Sequence, residues 1–428
     1  MRRLGEFAER LGRPERYVVA YSGGLDSTVL LHSVAHSPDV PVKAVHVDHQ
    51  LQPESGDWAR HCRRTASALA VGFQLLTVEP DLDAGKGLEG AAREARYRAL
   101  EAVLKPGDWL LSAHHLDDQA ETLLLNLLRG SGPDGLAAMP GSRRIGKNWL
   151  LRPFLDVPRS ALERYASEHS LRWIEDPSNR SAEQDRNFLR HEVMPVIRER
   201  WPDASTRFEH SARLAAEASS LLRELAEADL ELLGGARRIA LAGFRDLSGP
   251  RQRNVLRAAV RDLGLPAPPA TAIRALQEDL IGARADAEPV VAWPGVEARR
   301  SGDALYLMPP LPPAPKRNIS IEAETTVLPA GLGRIRLRAN DDEDAGRAVV
   351  AGGLNVRWRE GGEKIRVRGR NRSLKKLLQE ARVLPWMRDR IPLIYADDRL
   401  IAVADLFLAD EADATGLSVR WEAAPELR

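Results

Sequence analysis

The sequence predicts an α/β protein: a doubly wound, mainly parallel sheet, then a helical middle domain and a small α+β C-terminal domain. Three observations predict it. Over the first 130 residues, short apolar runs alternate with helix-spaced stretches, the pattern of a parallel sheet covered on both faces. Residues 205–233 then carry an Ala/Leu/Glu-rich helical pattern. After the Pro-rich stretch Met308–Lys316, short alternating strands dominate. The expected division is 1–204 for the parallel-sheet domain, 205–307 for the helical one, 308–345 for a linker with strands leading in, and 346–428 for the C-terminal domain.

The elements follow in order. Tyr17–Tyr21 (YVVAY) reads as the first strand, and a helix begins at Thr28 after a Ser/Gly turn. Val42–Val47 is the second strand, Trp58–Ala70 a helix, and Phe73–Val78 the third strand. Leu88–Leu104 has helical spacing, Trp109–Ala113 is the fourth strand, and Asp118–Arg129 is a strong helix. Further helices are expected at Arg251–Leu263 and Ala270–Leu280, and strands at Gly333–Arg338 and Lys364–Arg368. Prolines make Met308–Lys316 a stiff linker, since they remove backbone donors and fix φ.

Composition bounds the class. The 428 residues suit two to three domains at about 150 residues each. They are 43% hydrophobic and 29% charged, enough apolar surface to bury a core. Lys and Arg total 62 against 61 Asp and Glu, a net charge of +1, so a nucleic-acid surface must be local. A single cysteine, Cys62, excludes a disulfide framework and a four-cysteine zinc site, and points to a reducing compartment. No apolar signal segment follows Met1, and no run approaches about 18 apolar residues. A cytoplasmic chain with no membrane span is expected, with monomer and homodimer both open.

Chemistry concentrates at three strand ends. Ser22-Gly23-Gly24-Leu25-Asp26-Ser27 joins the first strand to the first helix. Its glycines let backbone approach an anion, and the helix start presents unpaired N–H groups, a combination suited to a pyrophosphate. The bland alternative is a strand-to-helix turn with Ser27 as N-cap. The second strand ends in Val47-Asp48-His49, the fourth in His114-His115-Leu116-Asp117-Asp118-Gln119-Ala120-Glu121. All three should meet on one edge of the sheet, where such folds bind ligands. Asp26 and Asp117 are candidates for magnesium on a triphosphate. Asp118 and Glu121 share a helix face, although the spacing also fits a helix-start capping box. His46, His49, His114 and His115 read as polar site or core histidines, because no cysteine partner or HExxH helix accompanies them. Two look-alikes fail. Gly141–Asn148 has Walker A spacing but Asn148 at the magnesium position and no preceding buried strand; Gly130–Gly135 fits GxGxxG but follows a helix.

These residues resemble the tRNA(Ile)-lysidine synthetases, a family of PP-loop ATP pyrophosphatases with an adenine nucleotide alpha hydrolase-like fold. The matching segments are SGGLDS (22–27), VDH (47–49), EGAAREARYRAL (89–100), AHHLDDQAETLLLNLLRGSGPDGLAAM (113–139), RPFL (152–155), WIEDPSNRSAEQDRNFLRHEVMP (173–195) and residues 361–395. Gln52 departs from the pattern, standing where the family often has Arg. The resemblance implies that ATP adenylates the wobble cytidine of a CAU-anticodon isoleucine tRNA, and that free L-lysine then displaces AMP to give lysidine. It implies ATP as substrate with Mg2+, and catalytic roles for Asp26, Asp117 and Asp118. Asp118 and Glu121 would meet the lysine cation, and Arg93 or Arg96 its carboxylate. Arg186, Asn187 and Arg190 are candidates for tRNA or nucleotide contact, or for a structural clamp.

Residues 357–390 hold twelve Lys/Arg and four acids, net +8. Lys364, Arg366 and Arg368 alternate with Ile365 and Val367, which on a strand gives a basic face over an apolar one. With Arg370, Lys375 and Lys376 they form the expected tRNA surface; Trp386 reads as packed core more readily than as a stacking residue. Rival readings are another PP-loop tRNA-modifying enzyme, and a tRNA-binding protein with an inactive nucleotide domain. A sulfurtransferase would want paired cysteines, and Cys62 is alone; an amidotransferase would want a glutaminase domain or an N-terminal Cys.

Overall fold

The computed structural model describes residues 2–36, 40–50, 52–79, 87–176, 184–284, 287–321, 324–339, 353–414 and 417–425. The chain divides into two units, Met1–Leu222 and Arg223–Arg428.

The first unit is built on six strands: β1 (Arg16–Ala20), β2 (Val42–Asp48), β3 (Gly72–Thr77), β4 (Asp108–Leu111), β5 (Ser142–Ile145) and β6 (Asn148–Leu151). They stand in the order 3-2-1-4-6-5. Every neighbouring pair is parallel except the β5–β6 hairpin. The helices are α1 (Arg2–Leu11), α2 (Leu25–Ala35), α3 (Ser55–Ala68), α4 (Gly87–Ala102), α5 (Leu116–Leu128), α6 (Pro133–Leu136) and α7 (Arg159–Glu168). The inner strands are apolar throughout because both faces are covered. Val19 and Leu111 pack with Leu31, Cys62 and Leu162 from α2, α3 and α7, whereas Val18, Leu110 and Leu150 pack on the other face with Leu100 of α4.

Chain order matters for the site. From β1 the chain winds outward through β2 to β3, then returns to lay β4 on the other side of β1. The carboxyl ends of β1 and β4 therefore flank the switch point where ligands enter such sheets. The four expected strands are all present within a residue or two. The expected start of α2 moves from Thr28 to Leu25, because the glycine turn ends at Gly24, the N-cap, in extended conformation. Ser27 is thus the third helical residue and not the cap. The Walker-like segment is the β5–β6 hairpin, with Gly146 at φ +53° in its two-residue turn.

In the second unit, a four-stranded antiparallel sheet (Arg238–Ala240, Val290–Trp293, Val296–Ser301, Ala304–Met308) shares a core with helices Leu241–Asp246, Gly249–Asp262 and Ala270–Ala275. The helix expected to reach Leu280 passes at Leu276 into a π turn, Leu276–Leu280. Residues 309–316 form no helix or strand. Small antiparallel sheets follow around one core that includes Trp358, Trp386 and Trp421. The unit division falls inside the long helix Ala204–Leu232, downstream of the expected boundary at 204. The expected boundary at 345–346 lies outside the described residues. No helix among the described residues is long and apolar enough to cross a membrane.

Candidate active site

The turn after β1 is built from its own small residues. Gly23 sits at φ +86°, a conformation that side chains disfavour. Ser22 and Ser27 hydroxyls lie 3.0 Å apart, the Ser27 hydroxyl donates to the Gly24 carbonyl at 3.0 Å, and the Thr28 hydroxyl donates to the Gly23 carbonyl at 3.3 Å. No side chain caps α2. The helix start therefore faces the cleft with its first N–H groups and partial positive charge uncovered.

The end of β4 is organised by His115, which is 1% exposed. His115 is the N-cap of α5: its Nδ1 accepts from the Asp117 N–H at 3.2 Å, and Asp118 accepts from the His115 N–H at 2.9 Å. The capping-box alternative for Asp118 is thus correct in part, with His115 as its partner in place of Glu121. Its other ring nitrogen, Nε2, lies 3.7 Å from Asp26 and 3.5 Å from Asp118.

Asp118 and Glu121 also form a four-member ion cluster. Beyond α7 the chain forms α8 (Asp185–Phe188) and a π turn, Leu189–Val193. From these, Arg186 donates to Glu121 at 2.8 Å and to Asp118 at 3.0 Å, and Arg190 donates to Glu121 at 2.7 Å and to Asp118 at 3.0 Å. Glu121 is 2% exposed, and such a carboxylate is stable only when its lone pairs are matched. Asp118 is held down at about 2: burial raises it, but His115, Arg186, His114 and the His115 N–H outweigh burial. Sequence left Arg186, Asn187 and Arg190 open between tRNA contact and clamp; the two arginines have the geometry of a clamp, and Asn187 is buried. The neighbouring Pro177–Asn179 of the EDPSN motif lie outside the described residues.

Asp26 and Asp117 do not pair as the magnesium reading expected. Asp117 is turned away from the cleft, with one oxygen bound by Arg198 and Ser205 and the other by the Arg159 N–H. Its carboxyl lies below the usual range: burial raises it, and Ser205, the Arg159 N–H, Arg198 and His115 outweigh that. Asp26 is the opposite case. Its Oδ1 is buried without a hydrogen-bond partner among the described residues, and burial pushes its carboxyl up despite His115 and Arg159. An orphaned carboxylate oxygen beside a phosphate turn fits a cation, so Asp26 is the residue that would hold magnesium. No group of three or more His, Cys, Asp or Glu among the described residues is placed to hold a metal alone.

The opposite shifts give opposite pH signatures. A carboxyl whose folded pKa lies above its unfolded value destabilises the fold as pH rises past the unfolded value, and does so fully above the folded one. Asp26→Asn should therefore melt higher than wild type at neutral pH, with the gap closing below about pH 4, where both states are protonated. Thermal melts across that range check this; a lower melting temperature at pH 7 contradicts it.

These groups line one cleft of ≈ 720 Å³, which takes in Ser22, Gly24–Ser27, Asp48, His49, Gln52, Arg96, His114, Asp118, Arg159 and Arg190. The His114 ring there is pushed down to about 3, chiefly by burial. His46 is structural, bonded to the Tyr21 carbonyl at 2.9 Å. Arg96 and Arg93 both lie over the Tyr97 ring, at 5.6 and 5.3 Å, but only Arg96 lines the cleft. Arg93 lines a separate depression of ≈ 550 Å³ with Arg143 and Arg144. Sequence reading missed Arg159, Arg198, Trp58 and Trp173, which adjoin the site; only the WIED segment of the resemblance pointed to one of them.

Comparison with known proteins decides the family. A PP-loop domain model matches residues 1–197, a TilS substrate binding domain model 240–306, and a TilS substrate C-terminal domain model 354–421. The tRNA(Ile)-lysidine synthase of Alkalilimnicola ehrlichii is 45% identical, over 92% of this chain and 91% of its own. Those of Coxiella burnetii and Serratia proteamaculans are 37% and 39% identical, over at least 95% of this chain and 94% of their own. The chain belongs to the tRNA(Ile)-lysidine synthase family.

In this synthase family member the expected alternation holds from Lys364 to Val367, but Arg368, expected on the same strand face, is a turn residue at φ +53°. Lys364 and Arg366 are exposed around buried Ile365 on a hairpin of Lys364–Val367 and Arg370–Ser373. Lys375 and Lys376 lie on the exposed face of a short helix that buries Leu374, Leu377 and Leu378. Arg357, Arg359 and Arg372 are committed to Asp398, Asp389 and Glu380. Lys364, Arg366, Arg368, Arg370, Lys375 and Lys376 have no ion-pair partner among the described residues. Trp386 is core, edge-on to Tyr306 at 5.3 Å.

Proposed function

We propose that this protein joins free lysine to carbon 2 of the wobble cytidine of a CAU-anticodon isoleucine tRNA, consuming ATP. The observation that carries the reading is the convergence, at one switch point, of an uncapped phosphate turn and a carboxylate–arginine cluster on adjacent strand ends. In the first step the cytidine O2 attacks the α-phosphorus of ATP; the O2–P bond forms, the α–β bond breaks, and diphosphate leaves over Gly23–Ser27 and the α2 N-terminus. Magnesium, held at Asp26, would offset the developing charge. In the second step the lysine ε-amine attacks C2, the C2–O2 bond breaks, and O2 leaves with AMP.

The ion cluster suits the head of an amino acid. Asp118 and Glu121 offer anions for its ammonium, Arg186 and Arg190 offer planar donors for its carboxylate, and Arg96 lies in the same cleft. The attacking amine must lose a proton. Asp118, held near 2 and saturated by arginines, is a poor acceptor. Diphosphate exchange into ATP that appears only with the tRNA tests the reading. RNA binding without exchange would support an inactive nucleotide domain.

The six cations at 364–376 that have no ion-pair partner among the described residues are the proposed tRNA surface. Replacing Lys364, Arg366 and Arg370 together by Gln should weaken tRNA binding and flatten its salt dependence by about two units of slope, since each lost phosphate contact removes roughly 0.7–0.9. An unchanged slope in titrations at several salt concentrations would place the tRNA elsewhere.

A further inference from the structure

Two tryptophans line the cleft, Trp58 and Trp173, and Trp173 is the more exposed. Trp173 is 38% exposed and lines the cleft. Its neighbour Ile174 is fixed: the Ile174 N–H donates to the Gly23 carbonyl at 2.9 Å, and its side chain packs on the sheet core beside the phosphate turn. The indole is thus anchored one residue from the group that bonds the phosphate turn, yet turned into the open cleft. Most tryptophans outside the cleft are used up by the fold. Arg144 covers Trp149 at 3.9 Å, Tyr306 and Arg299 cover Trp386, and the indole N–H groups of Trp293, Trp358 and Trp421 donate to backbone carbonyls. No ring or guanidinium of a described residue stacks on Trp173. Trp201 is also exposed but lies outside the cleft. A large apolar ring held rigidly in water beside a phosphate site is the usual form of a base-stacking platform, because every base presents a π face.

We infer that Trp173 stacks on a nucleobase in the cleft, a claim that rests on the ligase reading above for its two possible sources. One is the adenine of ATP, whose phosphates at Gly23–Ser27 would bring the rest of the nucleotide alongside. The other is the wobble cytosine itself. The chemistry is the same, and kinetics separates them.

The test compares Trp173→Ala and Trp173→Phe with wild type in tRNA-dependent diphosphate exchange, varying ATP and tRNA separately, and in equilibrium binding of each. Trp173→Ala should raise one KM and the matching Kd by about 5- to 100-fold, the range for losing one base–aromatic stack. Trp173→Phe should restore most of the loss, and melting temperatures should stay together. A rise for ATP identifies adenine, a rise for tRNA the cytosine. The inference is overturned if neither constant rises by more than about twofold, or if Trp173→Phe is as impaired as Trp173→Ala, which would make the indole mere packing. Absence of exchange in wild type would sink the ligase reading, while the binding measurements would still judge the stack.

Discussion

Gly23→Ala should cut use of ATP about 100-fold while the neighbouring Gly24→Ala is tolerated. At Gly23 an added Cβ would lie 2.7 Å from both the Cys62 Sγ and the Ile174 Cδ1, at a backbone φ of +86°. Neither neighbour can yield easily. Cys62 is fully buried in the core under α3, and Ile174 is tied to Gly23 by the backbone bond of its N–H. The turn must move instead, and a shift of about 1 Å in a preorganised anion site costs about 100-fold. At Gly24 the nearest atoms are 3.6 and 3.9 Å away, ordinary contact, and φ is −73°. Exchange assays on the two variants check the contrast. Equal activity of both would mean the phosphates sit elsewhere.

Asp118→Asn should separate the two chemical steps. The amide oxygen can still accept the His115 N–H, so α5 stays capped. What is lost is one negative charge facing Arg186 and Arg190. Glu121 still binds both arginines, so the fold should lose about 2 kcal/mol, the scale of one charge-assisted bond. At neutral pH the variant should melt below wild type. Asp118 is depressed to about 2, so its contribution is fully present above its unfolded pKa and is lost as pH falls from there through the folded value. Lysine use should fall about 100-fold, since a cation loses a buried partner, while tRNA-dependent exchange continues. If exchange fell equally, Asp118 would belong to the nucleotide and not to lysine.

Much of this was legible in the sequence because it is local. β1 to β4 are runs of apolar residues closed by polar strand ends, and the sheet rule then brings Ser22–Ser27 and His114–Glu121 to one edge. The β5–β6 hairpin escaped notice because SRRI is polar and NWLL only four residues long. Residues far apart in the chain were harder. Arg186 and Arg190 meet Asp118 and Glu121 across at least 65 positions, and no periodicity reports such a contact. Asp117 read as a metal ligand from its place after β4, yet Arg198 and Ser205 claim it from two later helices. Burial decides the rest: Asp26 and Asp118 are both aspartates at strand-end turns, and only their packing drives one up and the other down.

The most direct measurement is mass spectrometry of a CAU-anticodon isoleucine tRNA transcript after incubation with the protein, ATP, magnesium and lysine. The proposed chemistry predicts a wobble nucleoside heavier by one lysine less one water, with AMP and diphosphate released in step with it. An unmodified wobble cytidine, from protein that binds the tRNA and ATP normally, would contradict it.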